Sequence, residues 1–468
     1  MISRKKLIFG IIGLILCVVI SFLTPPAELT RQSMICLGIF ACAVCFWVGD
    51  VFPFFITCVA MFCAFCLTNT VSYDIAVSGI SNSILCFMLG AMGISVALTK
   101  SGVMKRLAYS IMKLFSPTFR GQTIGLLCSG VIINPLIPSV TAKTAMVMPI
   151  SKGIADAMGY EPKSRGMHGI WAATFTGITM CSYAFYSSNF YCIYVRGMLD
   201  AETQTQFGFL GWLLASIPWL LILIVGMAIG IQILYKPGNA NSSMSKEYIA
   251  GELKKLGSLS RNEKISIVTL LVCVVLWATE NYHGFASHVV ALAAVVVLMM
   301  TNVISVADFT KGVGWTMLLI IAILVGLGNV FEEVGINAFV ATLIQPLVTP
   351  IAGNPYILLT VITLICYVLR FVITSQMTAL PIFMSIMLPI CEVSNISPWV
   401  MGFVILTATS TWNVIYQNTF AMQGFAAYDG DKNVVYGQLA KSSICFMLIN
   451  IIAIVISIPI WSMMGFIG

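Results

Sequence analysis

Residues 133–150 read INPLIPSVTAKTAMVMPI, with apolar sequence on either side. Pro135 and Pro138 remove backbone donors and break a helical ladder. Ser139, Thr141, Lys143 and Thr144 bring hydroxyls and one full charge to a depth where each is costly. Non-helical backbone at membrane depth is tolerated only where protein buries it or where it lines a cavity. The stretch therefore reads as a solute site at a break between two half-helices.

The bulk composition places that stretch in a bilayer. Of 468 residues, 59% are hydrophobic and 9% charged, against about 25% charged in soluble domains. Such a chain is an all-α polytopic membrane protein, and a soluble enzyme is excluded. The net charge is +7, but the basic residues fall in short connectors. They mark topology under the positive-inside rule rather than a nucleic-acid surface. Arg4, Lys5 and Lys6 precede an apolar run to Leu23 without a small-residue cleavage site, so it reads as an uncleaved first span and not a signal peptide. Cys42 and Cys45, and Cys63 and Cys66, have a zinc-like spacing. They lie among Ala, Val, Phe and Met with no nearby His, and read as small packing residues.

Working outward, apolar runs at 7–23, 34–48, 54–67 and 84–98 read as spans. Residues 100–120 carry Lys100, Lys105, Arg106, Lys113 and Arg120 around Ile111, Met112, Leu114 and Phe115. They read either as an amphipathic helix on the cytoplasmic surface or as a plain charged loop. Residues 122–150 are flanked on both sides by basic residues, Arg120 before and Lys152, Lys163 and Arg165 after. Same-sided flanks and central prolines predict a re-entrant hairpin dipping in from the cytoplasm. A span at 167–194 is interrupted at Tyr186-Ser187-Ser188-Asn189, and 209–235 returns. Residues 236–264, with six Lys or Arg, read as a cytoplasmic linker. Further spans fall at 265–279, 286–301 and 315–331, followed by an amphipathic piece at 337–348. A second broken segment covers 356–390, and spans at 400–416 and 442–464 close the chain. The count is about eleven transmembrane helices and two re-entrant hairpins by the length rule, with the N-terminus inside and the C-terminus outside.

The halves repeat. The segment 97–103 is similar to 330–336 at an offset of 233, Thr141-Ala142 matches Thr378-Ala379 at 237, and Asn189 matches Asn418 at 229. Each half runs span, amphipathic piece, broken hairpin, broken span. The first hairpin enters from the cytoplasm and the second from outside. These are two inverted repeats, the build of secondary transporters, with the site where the paired breaks meet.

The hairpin breaks offer Ser139, Val140, Thr141, Lys143 and Thr144 in the first half, and Thr374, Ser375, Gln376 and Thr378 in the second. The broken spans add Ser188, Asn189, Gln417, Asn418 and Thr419. Neutral donors dominate, with one lysine and no central Asp or Glu. Half-helix N-termini add partial positive charge and free N–H groups. That combination suits a small carboxylate anion and disfavours a cation pump, which needs a buried carboxylate. Arg370 reads as lying near the hairpin base. His168 at a span start, and His283 and His288 in an outer loop, read as solvated.

At these residues the chain resembles the divalent anion–sodium symporter family, the dicarboxylate and citrate carriers. That family carries Ser-Asn-Thr at each hairpin tip. Here the first tip is Ser139-Val140-Thr141, followed by Ala142 and Pro149-Ile150. The asparagine is lost, and the second tip reads Gln376-Met377-Thr378, a register that the downstream proline would shift. Ser187-Ser188-Asn189 and Tyr416-Gln417-Asn418 stand at the discontinuous spans, without the family's proline pair. The likeness covers nearly the whole chain in span order. It implies a homodimer with scaffold and mobile transport domains that move as an elevator. Residues 1–77 and 201–310 are then scaffold, 78–200 and 311–430 transport-domain repeats, and 431–468 a C-terminal helix.

In sodium-coupled members the tips hold Na⁺, which here would fall at Ser139, Thr141, Thr374 and Ser375. Lys143 lies where the resembling citrate–succinate exchangers have Arg, and an ammonium there would replace one sodium ion. The resemblance thus implies transport of di- or tricarboxylates by sodium-independent exchange or proton-linked transport, in a bacterial cytoplasmic (inner) membrane. No cofactor is expected beyond Na⁺ or H⁺ as coupling ion. A sodium-coupled symporter of dicarboxylate or sulfate, and a transport-dead sensor on the same fold, are the alternatives. No Ser–His, paired Asp or His-Glu-x-x-His pattern lies at depth, so an intramembrane enzyme is not expected. For Lys143 itself two readings stand, contact with substrate and snorkelling to the cytoplasmic surface.

Overall fold

The computed structural model describes residues 4–26, 28–137, 139–237, 244–373 and 375–468. Two residues named above, Pro138 and Thr374, lie outside the described residues. Among the described residues there is no β-strand, only one isolated bridge between Ile396 and Ile467.

The chain opens with α1 (Arg4–Phe22), α2 (Arg31–Gly49), α3 (Phe54–Leu67) and α4 (Ser83–Ser101). Next come α5 (Val103–Met112), α6 (Phe119–Ile133) and α7 (Val140–Ala157). The broken span follows as α8 (Arg165–Phe175) and α9 (Phe190–Gly197), and α10 (Phe209–Tyr235) returns. A linker helix α11 (Met244–Lys255) leads into α12 (Arg261–Ala278), α13 (Ser287–Met300) and α14 (Trp315–Glu333). The second half continues with α15 (Ile336–Ala352), α16 (Pro355–Leu369) and α17 (Gln376–Met387). It closes with α18 (Pro398–Ala408), α19 (Thr419–Ala427) and α20 (Tyr436–Met463). Six of these, α1, α2, α4, α10, α14 and α20, are individually long and apolar enough to cross a membrane.

Local chemistry sets the boundaries. Thr118, Ser164 and Ser260 cap α6, α8 and α12 by accepting backbone N–H bonds. Gly102 and Gly335 sit at φ +84° and +74°. Each makes the left-handed turn that swings an amphipathic helix, α5 or α15, away from the span before it. The two glycines differ by the offset read from the sequence. Residues 103–112 are thus helical and not a plain loop; Met104, Ala108, Tyr109 and Met112 are buried against neighbouring helices. The stretch 236–264 is likewise more than a connector, because α11 packs on α5 and α7.

Both ends of the first hairpin, α6 and α7, face the side rich in basic residues. The second, α16 and α17, opens to the opposite side. Every ion pair among the described residues, from Lys6–Asp50 to Lys255–Glu252, lies on the basic side. Helix α4 packs on α13, whereas α10 runs along α20 and also meets α8 and α6. Helix α10 also touches α12, so it contacts both the hairpin with its broken span and the 201–310 helices.

Candidate functional site

In the first half, the 15-residue α6 stops at Ile133, and residues Asn134–Leu136 form a single 3₁₀ turn. Ser139 starts α7, its Oγ accepting from Ala142 N–H at 3.2 Å. Gly130 and Gly177 allow α6 to lie against the span break, since a Cβ on Gly130 would fall 2.6 Å from the Gly177 Cα. That approach lets Asn134 Nδ2 donate to Gly177 O at 2.8 Å. The span itself passes from α8 through a π-turn at Thr176–Met180 and 3₁₀ turns at Cys181–Ala184 and Tyr186–Ser188. Such turns within a helix are frequent at functional sites.

Lys143 joins the two breaks. Its ammonium donates to Asn134 Oδ1 at 2.8 Å, Ser188 O at 2.9 Å and Ser188 Oγ at 2.7 Å. The residue is fully buried. Snorkelling is thereby excluded. All three N–H groups of an ammonium are engaged, so direct contact with a substrate is not what this geometry shows either. Lys143 is a buried basic side chain cradled by neutral oxygens.

The second half repeats the device with a different cation. Arg370 follows α16, is fully buried, and donates from Nη1 to Ile373 O and from Nη2 to Gln417 O, both at 2.6 Å. Gln417 Nε2 returns a bond to Arg370 O at 3.0 Å. Arg370 Nε has no partner among the described residues. The placement of Arg370 at the hairpin base is thus corrected: it stands at the tip-side end of α16 and reaches the second span break. Gln417 corresponds to Ser188 at the Asn189–Asn418 offset, so each half has one buried cation gripping the same position of its broken span.

Asn189 and Asn418 are matched in detail. Asn189 Oδ1 accepts from Tyr191 N–H at 3.1 Å, and its Nδ2 donates to Ser182 Oγ at 3.2 Å. Asn418 Oδ1 accepts from Phe420 and Ala421 N–H at 3.0 and 3.1 Å, and its Nδ2 donates to Ser410 O at 3.2 Å. Both asparagines cap the second half-helix of a broken span. Those half-helices meet, with the Tyr191 and Phe420 rings 6.3 Å apart.

A polar bond joins each hairpin to the broken span of the opposite half. Tyr183 Oη donates to Gln376 Oε1 at 3.2 Å, and Gln423 Nε2 donates to Thr141 O at 3.1 Å. Gln376 also donates to Leu406 O and Thr409 Oγ1, both at 3.3 Å. Thr144 and Thr378 are buried, and their hydroxyls have no partner among the described residues. Val140 is buried, Ser139 half-buried, and Thr141, Ser375 and Thr419 are exposed. The second tip is read one residue off in sequence. Ser139 and Ser375 both precede their helices, so the offset is 236, Met377 answers Thr141, and Thr378 answers Ala142.

Asn134, Tyr183, Gln423 and the role of Arg370 were not legible in sequence. Arg370 alone carried a signal, as an ionisable residue at membrane depth. His168, expected solvated, is buried. Its Nδ1 bonds Ser164 O at 2.7 Å, and its Nε2 accepts from Val435 N–H at 2.9 Å.

Neither Lys143 nor Arg370 takes part in an ion pair among the described residues. Paired helix breaks, half-helix N-termini and buried basic side chains, one set in each half, are the build found in membrane transporters. The family model described as "Sodium:sulfate symporter transmembrane region" matches residues 4–467, and the chain belongs to that family, the divalent anion–sodium symporters. Its relatives include the putative malate transporter YflS of Bacillus subtilis, 24% identical over 340 residues, 71% of each chain. The spinach (Spinacia oleracea) chloroplast dicarboxylate transporter 2 is 26% identical over 72% of this chain and 62% of its own. A membrane protein of Cupriavidus necator is 26% identical over 54% of this chain and 50% of its own. The chain thus spans about half to seven-tenths of the length of these relatives. Among solved structures, the Alcanivorax borkumensis YdaH transporter aligns over 99% of both chains at TM-score 0.58 and 14% identity. Neisseria gonorrhoeae MtrF aligns over 98% of this chain and 95% of its own at 0.60 and 15%. Both share the fold.

Proposed function

We propose that the protein carries small di- or tricarboxylates across a bacterial inner membrane by sodium-independent exchange or proton-linked transport. The observation that carries this reading is the pair of buried cations, Lys143 and Arg370, with no carboxylate against them. A buried charge is stable only when paired, and a dianionic solute supplies the missing charge. Each cation is held by uncharged oxygens, the donor set that a bound monovalent cation would otherwise use. A fixed cation in each half removes the need for a co-transported one. The names of the relatives, malate and dicarboxylate transporters, fit this substrate class.

In this reading Ser139, Thr141, Ser375 and Thr419, which are open to solvent, meet the solute together with Thr144 and Thr378. Asn189 and Asn418 aim the half-helix N-termini at it. The hairpins and broken spans, with α10 and α20, form the moving body of an elevator. Helices α1–α5 and α12–α15 form the scaffold of a homodimer, a division that takes α4, α5, α14 and α15 out of the 78–200 and 311–430 repeats, and the basic side faces the cytoplasm.

Proteoliposomes loaded with unlabelled succinate or malate test it. Uptake of labelled dicarboxylate in Na⁺-free buffer, dependent on internal dicarboxylate or on a pH gradient, is the expected result. The second reading, sodium-coupled symport of dicarboxylate or sulfate, is favoured by the family description and by the exposed Ser375 hydroxyl, which caps no N–H. Uptake that appears only with an Na⁺ gradient would select it. No flux of any divalent anion under either condition would select a sensor.

A further inference from the structure

A groove of about 570 Å³ lies between α6 and α10 at their basic-side ends, well away from the hairpin tips. Its mouth carries Arg120 at the start of α6 and Lys236 at the end of α10, both exposed. Neither makes an ion pair among the described residues, and no carboxylate lines the groove. Below them the wall becomes aliphatic, with Ile124 half-buried and Ile229 and Ile233 exposed at 55% and 75%. Gln232 fixes the spacing of the two helices by donating to Thr123 Oγ1 at 2.8 Å.

We infer that this groove binds an anionic glycerophospholipid. The vertical order of the site carries the inference. Two cations stand at the level of the connectors, and an apolar channel descends from them along two membrane helices. A phosphodiester headgroup matches the first and an acyl chain the second, and a basic pocket between membrane helices on the positive side is a lipid-headgroup site. A soluble phosphate satisfies only the mouth, and a zwitterionic lipid brings its own ammonium against Arg120 and Lys236. The lipid wedges between the first hairpin arm and α10, and so braces a pair that Gln232 joins by a side-chain hydrogen bond across the groove.

The test uses the full-length protein in a neutral detergent. Native mass spectrometry and thermal unfolding are followed with added phosphatidylglycerol, with phosphatidylcholine of the same chains, and with soluble glycerol phosphate. Retained phosphatidylglycerol adducts and a raised melting temperature, absent with the other two, are expected. Arg120→Gln with Lys236→Gln should weaken lipid retention about 30-fold, from about fivefold per cation, while its melting temperature without lipid matches wild type. Equal retention of both lipids, or a double variant that binds phosphatidylglycerol as wild type does, overturns the inference. The same shift with glycerol phosphate would reduce the site to a soluble-anion site and also overturn it. Photocrosslinking of a phosphatidylglycerol probe to the wild type needs no variant. Label on α6 and α10 supports the site, and label spread evenly over α1, α12 and α20 refutes it.

Discussion

Lys143 holds the first half together by charge without counter-charge. Replacing it with Ala leaves Asn134 Oδ1, Ser188 O and Ser188 Oγ facing the space that the ammonium filled. Three neutral oxygens around a cation-sized space are a monovalent-cation site in the making. Lys143→Ala is therefore expected to lose exchange in Na⁺-free buffer and to regain part of it as Na⁺ is raised, whereas Lys143→Met fills the space and stays inactive. Inactivity of the alanine variant at every Na⁺ concentration would count against the fixed-cation reading. Asn134→Leu strips one partner from the buried ammonium and orphans the Gly177 carbonyl. It should cost about 2–4 kcal/mol, the scale for a charged hydrogen bond plus an unsatisfied acceptor, seen as a lower melting temperature in detergent. Lys143 was legible in sequence because a charge in apolar surroundings announces itself. Asn134, Tyr183 and Gln423 were not, because single polar residues have no spacing to betray them and their partners lie in distant elements. Arg370 was visible but misplaced, since its grip on Gln417 joins elements 47 residues apart.

Among the elements, the long apolar helices and both breaks followed from hydropathy and proline placement. What composition concealed was α11, whose polar sequence reads as linker although Ile249 is buried. Lys105 holds it to α5 through Glu252 at 3.3 Å. Arg106 pairs with Glu263 at 2.6 Å and donates to the Leu256 and Gly257 carbonyls. Toward α7 the contact is uncharged, Tyr248 lying against Gly153. The helix thus spans a cleft of about 500 Å³ between α5 and α7, and its ion pair to a flanking helix among the described residues is on the α5 side. Glu252→Lys repels Lys105 and should raise exchange up to about fivefold, the range of an exposed ion pair of up to about 1 kcal/mol. An unchanged rate would mean that α11 does not restrain α7. Hydrogen bonding to Lys255, then Lys105, lowers the Glu252 pKa from its ordinary value. A depressed carboxylate contributes fully above that ordinary value and loses its contribution as pH falls through the depressed one. Acidification, not alkalinisation, is what unfastens α11.

On the scale of the molecule, the inner cleft has a counterpart across the membrane. A cavity of about 730 Å³ lies between α14 with α15 and the end of α17, its lining including Asn337 and Ser385. The inner cleft is lined in part by Thr99 and Ala145. If hairpins and broken spans move as one body, a bifunctional thiol reagent joining cysteines at Thr99 and Ala145, or at Asn337 and Ser385, should stop exchange reversibly. Full cross-linking of both pairs with exchange intact would rule out the elevator. The background must lack the fifteen native cysteines, all free thiols. The inverted order of the halves was readable from three short matches, because the same turn and cap chemistry recurs at Gly102 and Gly335 and at Asn189 and Asn418. The packing of α10 along α20 was not, since an apolar helix carries no mark of which neighbour it will choose.

Helix α11 breaks the mirror relation between the two clefts, having no counterpart on the outer one among the described residues. A restraint that favours one orientation lowers the free energy of that orientation alone. Half-saturating solute concentrations measured from opposite faces should then differ, whereas the final distribution of solute, fixed by the gradients, stays where it would be without the helix. The protein is a valve with unequal handles and an impartial seat.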